Sequence, residues 1–319
     1  MIYSSHVGSF PIEYSDKNVL KAFEDMVNIG IDIIPYPQLR DFVKMFLEPL
    51  AETGFLHKYG DIYVWSGKRL DVLPKRLPRE IYLISNMYEK YGGKILLRAP
   101  VTGAFTLASQ IYLDKENTSL FNSLLKNRDI VLEDLSRYVK NIINNLVRLG
   151  YYLIIIDEPV LSMMIGGRRI LFNYKALDII EYYNFLAEKC SKMIGTHVCG
   201  RISPRLAQIL LKTYLNILDH EYKDSPENFE TYSFKMLEEN DKYISVGCTS
   251  SKNSRVESVE EILKYIDKAY KLYGERLYIV KGDCGFRGLK GVPNAYNISI
   301  NKLRNLVSAL KSFNPNPQT

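Results

Sequence analysis

Four cysteines in 319 residues are too few to staple a chain of this size, which excludes a disulfide scaffold. The thiols Cys190, Cys199, Cys248 and Cys284 are therefore candidates for metal binding or catalysis. No apolar run approaches the roughly 20 residues of a membrane span, so no membrane association is expected. The opening MIYSSHVGSFP has no basic region and no long apolar stretch, so no secretory signal is expected and a cytoplasmic location is. The excess of positive charge is small. The 42 Lys and Arg residues against 36 Asp and Glu leave +6, interleaved along helical stretches. That pattern reads as a solvated surface and argues against a nucleic-acid partner. No repeat of 20–50 residues is present.

What the chain does have is apolar residues, 46% of the total, enough for a sizeable core. They fall into eight short runs that read as strands, at 2–8, 31–35, 94–100, 152–159, 192–198, 215–221, 243–249 and 277–284. Several are apolar throughout, as parallel strands covered on both faces are. Amphipathic stretches fill the gaps. DKNVLKAFEDMVNIG and SLLKNRDIVLEDLSRYVKNIINNLVRLG end in Gly30 and Gly150, which suit helix C-caps. SVEEILKYIDKAYKLYG opens with a capping box, Ser258 and Glu261. Eight βα units imply a single α/β domain over 1–319, a TIM (β/α)8 barrel. A doubly wound open sheet is the alternative, but no G-x-G-x-x-G follows the first strand. The spacing breaks at 51–93, an insertion after the second unit. There GFLHKYGDIYVWSGKRLDVLPKRLP suits a hairpin about Ser66-Gly67 followed by a proline-bounded loop. It is either decoration or a wall or lid over the barrel mouth. The tail 313–319 is expected to be disordered.

Barrel enzymes carry their chemistry at the C-terminal strand ends. The fourth strand ends in Asp157 and Glu158, the fifth in His197 and Cys199, the sixth in His220 and Glu221. The seventh ends near Cys248 and the eighth in Asp283 and Cys284. Residues two apart share a strand face, so His197 and Cys199 can converge on one ion, whereas His220 and Glu221 cannot both do so. One imidazole, two thiolates and one carboxylate (His197, Cys199, Cys284, Glu221) suit a tetrahedral Zn²⁺ and argue against Mg²⁺ or Ca²⁺. Cys248 is the rival thiol. Cys190 lies in a helical pattern and reads as core. His220 reads as core or as support for a ligand. His6 suits either a structural hydrogen bond or a substrate contact, and His57, in the insertion, has no evident role.

HVGSFP (6–11), IDEPVL (156–161), THVCG (196–200), HE (220–221) and GDCGFR (282–287) occur in an order that resembles a known family. The chain resembles the catalytic C-terminal barrel of cobalamin-independent methionine synthase, and more closely its short single-barrel relatives. The 22-residue step from Cys199 to Glu221 matches the family's zinc spacing. The resemblance implies zinc on His197, Cys199, Glu221 and Cys284. It puts Asp157 in the place of the acid that holds the amino group of homocysteine. Val7, Gly8 and Ser9 take the place of the backbone that receives the amino-acid carboxylate, and Gln38 falls near a family glutamate that also touches the amino acid.

The departures bear on the methyl donor. The family's pterin pocket uses an Arg-Cys pair followed by prolines, a tryptophan, and a glutamate six residues after the aspartate. Here the third-strand loop reads APVTGAFTL, the sixth residue after Asp157 is Met163, and there is no Arg-Cys pair. The family's proton-donor histidine after the seventh strand is replaced by CTSSKNSRVES, with Lys252. A methyl on a pterin nitrogen leaves only if that nitrogen is protonated, whereas a corrinoid cobalt needs no acid. The expectation is a zinc-dependent methyltransferase that makes methionine from homocysteine, with a methylcorrinoid protein as donor. The alternatives are alkylation of another thiol of the coenzyme M kind, a methyltetrahydropterin-dependent methionine synthase, and a non-catalytic zinc-containing binding module.

Overall fold

Each of the eight apolar runs becomes a strand in the computed structural model, which describes residues 1–315. In chain order the strands are β1 (Tyr3–Ser4), β2 (Ile33–Pro35), β3 (Leu56–Tyr59), β4 (Ile62–Trp65), β5 (Leu96–Thr102), β6 (Ile111–Tyr112), β7 (Leu153–Asp157), β8 (Met193–Val198), β9 (Ile217–His220), β10 (Tyr243–Thr249) and β11 (Leu277–Gly282). Eight of them form one sheet in the order β1-β11-β10-β9-β8-β7-β5-β2, and every neighbour pair is parallel. A parallel bridge from Ser5 to Ile33 joins the two edges. This is the expected (β/α)8 barrel, closed most lightly between its first two strands. The first strand is shorter than the 2–8 expected, because the chain turns at Gly8, whose φ is 133°.

Strand alternation sorts the apolar residues into two cores. Along β7, Leu153 and Ile155 point inward and join Ile33, Ile217 and Ile279 as the apolar floor of the barrel. Ile154 and Ile156 point outward and pack in the larger layer beneath the helices. Both sets are fully buried, which is why β7 reads as an unbroken apolar run. Above the floor the interior turns polar. Arg98, Asp219 and Lys281 are all fully buried there, and the metal-type side chains stand higher still, at the strand ends.

The helices form where capping chemistry allows. Asp16–Ile29 begins at Ser15, whose hydroxyl accepts from Asn18 N, and ends at Gly30 with φ 82°. Val259–Tyr273 carries the full Ser258–Glu261 capping box. The long amphipathic stretch before Gly150 departs from expectation. It opens with short 3₁₀ turns and a π-helical turn, Ile130–Leu135, before the regular helix Ser136–Arg148. Here Asp134 serves the insertion, accepting from Leu70 N and pairing with Arg69. Cys190 lies beyond the helix Ala176–Ala187, half-buried rather than inside it.

The insertion does contain a hairpin, but its turn is Gly60-Asp61 and not Ser66-Gly67. Gly60 has a φ of 59°, the conformation that a two-residue hairpin loop asks of its first central residue. The hairpin pairs with β6 to make a small rim sheet. Exposed His57 sits on its outer strand. The last part of 51–93 is the helix Arg79–Lys90, which packs beside Asp16–Ile29 as the second unit's own barrel helix. Residues 66–78 are the proline-bounded loop between them. The rim sheet walls a cleft of about 610 Å³ lined by Phe42, Tyr63, Thr106, Tyr112, Pro159 and Met163. Phe313, within the tail expected to be disordered, packs edge-on against Tyr270. Residues 316–319 lie outside the described residues. No helix among the described residues is long and apolar enough to cross a membrane.

Candidate active site

β8 carries His197 inward, and two residues later the chain presents Cys199 on the same side. β11 delivers Cys284 from across the rim. His197 Nε2 lies 3.0 Å from Cys199 Sγ, and the two sulfurs are 3.5 Å apart, too far for a disulfide. One ligand atom from each of the three residues lies within 4.8 Å of the others. Cys284 is held well below the usual thiol range, first by a hydrogen bond from Cys199 and then by His197. The same contact drives the Cys199 thiol up. Two sulfurs and an imidazole this close, sharing protons, form a soft donor set that a thiophilic cation would replace those protons to occupy.

The other face of the His197 ring is fixed. Nδ1 donates to Asp219 Oδ1 at 2.8 Å, which leaves Nε2 turned to the sulfurs. Burial disfavours the charged ring, but Asp219 outweighs it and raises His197 to about 9. Asp219 in turn meets Lys281 Nζ at 2.8 Å and Arg98 at 3.0 Å, all three without exposure. Burial opposes its charge, yet Lys281, Arg98 and His197 together hold Asp219 well below the carboxylate range. A carboxylate behind a ligand histidine fixes its ring and its tautomer. Asp219, Arg98 and Lys281 carry no motif that marks them in the sequence. Strand parity was the available signal, since Asp219 and Glu221 are two apart and must share a face.

Glu221 is not part of the three-residue cluster. Its Oε2 lies 3.0 Å from Lys252 Nζ and 3.4 Å from Ser225 Oγ, close enough for its charge to bear on Cys199. The backbone just after it is locked by Asp283, whose carboxylate accepts from the amides of Tyr222, Lys223 and Asp224. Lys281 Nζ also donates to the carbonyls of Gly282 and Asp283. The strand end that carries Glu221 is thus tied to the one that carries Cys284.

Asp157 pairs with His197 across β7 and β8. It is buried, its Oδ1 has no hydrogen-bond partner among the described residues, and burial pushes its carboxyl up to about 7. A buried carboxylate without a partner is costly and calls for a cation. The Val7–Ser9 turn lies on the same rim. Gln38 N donates to Gly8 O at 3.0 Å, and Ser9 bridges to Gln38. The structure therefore brings Gln38 to the turn, with its Nε2 buried and without a well-aligned hydrogen-bond partner among the described residues. A Cβ on Gly8 would stand 3.2 Å from Pro100 and 3.4 Å from Tyr36 O, so only glycine fits that turn easily. His6 stacks on Phe286 with ring centroids 4.7 Å apart, and burial lowers it to about 3, a neutral ring that donates to Ser9 O.

Three rim residues face the other way. Glu158 accepts from Phe105 N, from Thr106 through both N and Oγ1, and from Tyr182 OH, pinning the loop after β5. His220 packs outward on Tyr232 with its Nδ1 near Val198 O. Cys248 is sealed in the outer core, its thiol pushed up by burial and donating to Val246 O.

Residues 88–312 match the family described as the cobalamin-independent synthase catalytic domain. The chain belongs to that family. The methionine synthase of Methanocaldococcus jannaschii is 26% identical to it over 310 residues, covering 91% of this chain and 87% of that one. The methionine synthase of Methanothermobacter thermautotrophicus is 28% identical over 298 residues, covering 90% and 86%. A B12-independent methionine synthase from a Shewanella species, solved with selenomethionine, superposes with a TM-score of 0.71 over 98% of both chains. Its identity is 15%, so this likeness speaks to the barrel fold alone. The matched segment contains Asp157, the cluster residues, Glu221 and Lys252. The Val7–Ser9 turn and Gln38 precede it.

Proposed function

We propose that this protein is a zinc-dependent methyltransferase that converts homocysteine to methionine, with a methylcorrinoid protein as methyl donor. The observation that carries this reading is the His197–Cys199–Cys284 cluster standing beside the buried carboxylate of Asp157, whose Oδ1 has no hydrogen-bond partner among the described residues. Membership of the family and full-length likeness to methionine synthases support it. The donor set fits zinc: two sulfurs and an imidazole whose second nitrogen is already anchored on a carboxylate. His197, Cys199 and Cys284 would hold the metal, and Glu221 would supply a fourth ligand only if its carboxylate left Lys252 and turned toward the cluster. Zinc, when bound there, supplies the Lewis acidity that keeps an acceptor thiol in its nucleophilic thiolate form at neutral pH.

The chain's own residues position the acceptor. Asp157 receives the ammonium of homocysteine, and the Val7–Ser9 turn with Gln38 receives its carboxylate. The thiol proton passes to solvent. A sulfur–carbon bond forms as the donor–carbon bond breaks, and the donor keeps the electron pair of the broken bond. A corrinoid cobalt holds that pair without protonation, whereas a pterin nitrogen needs an acid. Lys252 occupies the loop where the family has its proton-donating histidine, but its Nζ is engaged by Glu221. The exposed Met163 lines the rim cleft in the place of the family's pterin-pocket glutamate.

Two outcomes follow. Zinc-loaded protein should methylate homocysteine from methylcobalamin and not from methyltetrahydrofolate, measured as methionine formed; the opposite preference removes the corrinoid reading. Asp157→Asn should keep its zinc and raise KM for homocysteine about tenfold to a hundredfold, the worth of one hydrogen bond to a charged group. An unchanged KM would remove Asp157 from the amino-acid site.

A further inference from the structure

The Glu221–Lys252 pair lies outside the three-residue cluster, and its construction is asymmetric. The Glu221 side chain is 4% exposed and that of Lys252 61%. A flexible, solvated lysine therefore reaches in to meet a buried carboxylate, at a cost in side-chain freedom that an exposed pair rarely recovers. The lysine's backbone is prepared for this. Lys302 Nζ, fully buried, holds Glu257 at 2.8 Å, and Glu257 accepts from Ser250 N. Ser250 Oγ then accepts from the amides of Lys252 and Asn253, while Ser251 N donates to Asp224. The loop is pinned on both sides of Lys252, and only the side chain is left to move.

Glu221 has equally little choice of place. Its backbone carbonyl accepts from Asn228 Nδ2, and the amides after it are locked on Asp283. Its carboxylate rests on Lys252 and Ser225, and its charge bears on Cys199. A metal on His197, Cys199 and Cys284 has three protein ligands and one position left in a tetrahedral set. With a metal bound there, Glu221 and an acceptor sulfur would be rivals for that position.

Resting on the zinc and thiol reading above, we infer that Lys252 is a positioning residue. It holds the carboxylate of Glu221 away from the metal position and so keeps the fourth site available to the acceptor sulfur. Lys252 touches neither reacting atom in this role and acts only through Glu221. It follows that zinc affinity without thiol and thiol affinity with zinc respond to Lys252 in opposite directions. A lysine that merely supported the fold would move both the same way.

The test uses the full chain. Zinc affinity is measured by competition with a chromophoric chelator, and homocysteine binding to the zinc-loaded protein by calorimetry, with no methyl donor present. Lys252→Met should bind zinc about twofold to fivefold more tightly and homocysteine weaker by a similar factor, the upper part of the range of one partly exposed ion pair. Lys252→Arg should restore wild-type values. In a Glu221→Gln background, Lys252→Met should change neither constant, because the coupling runs through the carboxylate. Zinc and homocysteine affinities falling together in Lys252→Met, no change in either, or an undiminished effect in the Glu221→Gln background would each overturn the inference while leaving the zinc reading standing. A wild-type protein that binds no zinc would remove the zinc reading, and this inference with it.

Discussion

On the proposed zinc reading, Cys284→Ser should lose zinc and activity together. A serine hydroxyl is not ionised at neutral pH, so the variant offers one thiolate and one imidazole where the native cluster offers three soft donors within 4.8 Å. Removing an outer partner of a zinc ligand costs about tenfold to a hundredfold in affinity, and removing a ligand itself should cost more than that. Zinc per chain after dialysis against a chelator, read beside methionine formation from homocysteine, checks both effects at once. The control is Cys248→Ser. That sulfur lies in the outer core and donates to Val246 O, so the change should leave zinc content intact. A Cys284→Ser protein with full zinc would mean the metal sits elsewhere, and the ligand assignment would fall.

Asp219→Ala has the largest expected effect on stability. The substitution leaves Arg98 and Lys281 fully buried with their shared carboxylate gone. Arg98 depends on it most. None of its guanidinium nitrogens has a well-aligned hydrogen bond, and Asp219 is its one ion-pair partner among the described residues. Breaking a buried pair from one side costs about 3–5 kcal/mol, because the orphaned charge keeps its desolvation penalty. The urea midpoint should fall accordingly, and loss of ring anchoring at His197 should weaken zinc about tenfold to a hundredfold. Asp219→Asn separates the two effects. Its amide oxygen can still accept from His197 Nδ1 and recover much of the zinc affinity, but it cannot balance the two cations. The sign with pH is defined. Asp219 is held below its ordinary value of 3.8 in the fold, so its stabilising contribution is fully present above that pH and is lost as pH falls toward the folded value. The gap between wild type and Asp219→Ala should therefore be complete at neutral pH and shrink in acid. A variant as stable as wild type at pH 7 would show that solvent or another group compensates the cations.

The eight strands were readable because both faces of a barrel strand are buried. That requirement writes continuous apolar runs into the chain, with Leu153–Ile156 the plainest. Capping was readable for a similar reason. Ser15, Gly30 and the Ser258–Glu261 box act over four residues or fewer. The hairpin was found but its turn was misplaced. Gly60-Asp61 and Ser66-Gly67 both offer a glycine suited to positive φ, and the pairing of β4 with β6 decides between them. The paired residues, Tyr63 with Ile111 and Val64 with Tyr112, are 48 apart along the chain, so no local pattern carries the contact.

The site divides along the same line. Residue type and strand parity alone determined that His197 and Cys199 share a face, that His220 and Glu221 do not, and that one rim collects the metal-type side chains. Tertiary structure alone decided which thiol joins them. Cys248 and Cys284 both close a strand near the rim, but Cys248 falls on the outward parity of β10, whereas the chain after β11 brings Cys284 to 3.5 Å from Cys199. It also decided that Arg98, Asp219 and Lys281, from three strands far apart in sequence, stack into one buried charge layer beneath the site. Lys252 likewise meets Glu221 only in the folded chain, although it lies 31 residues from it in sequence. Parity is a property of one strand and is written within it. Convergence depends on how the strands are staggered around the barrel, which only its closure sets.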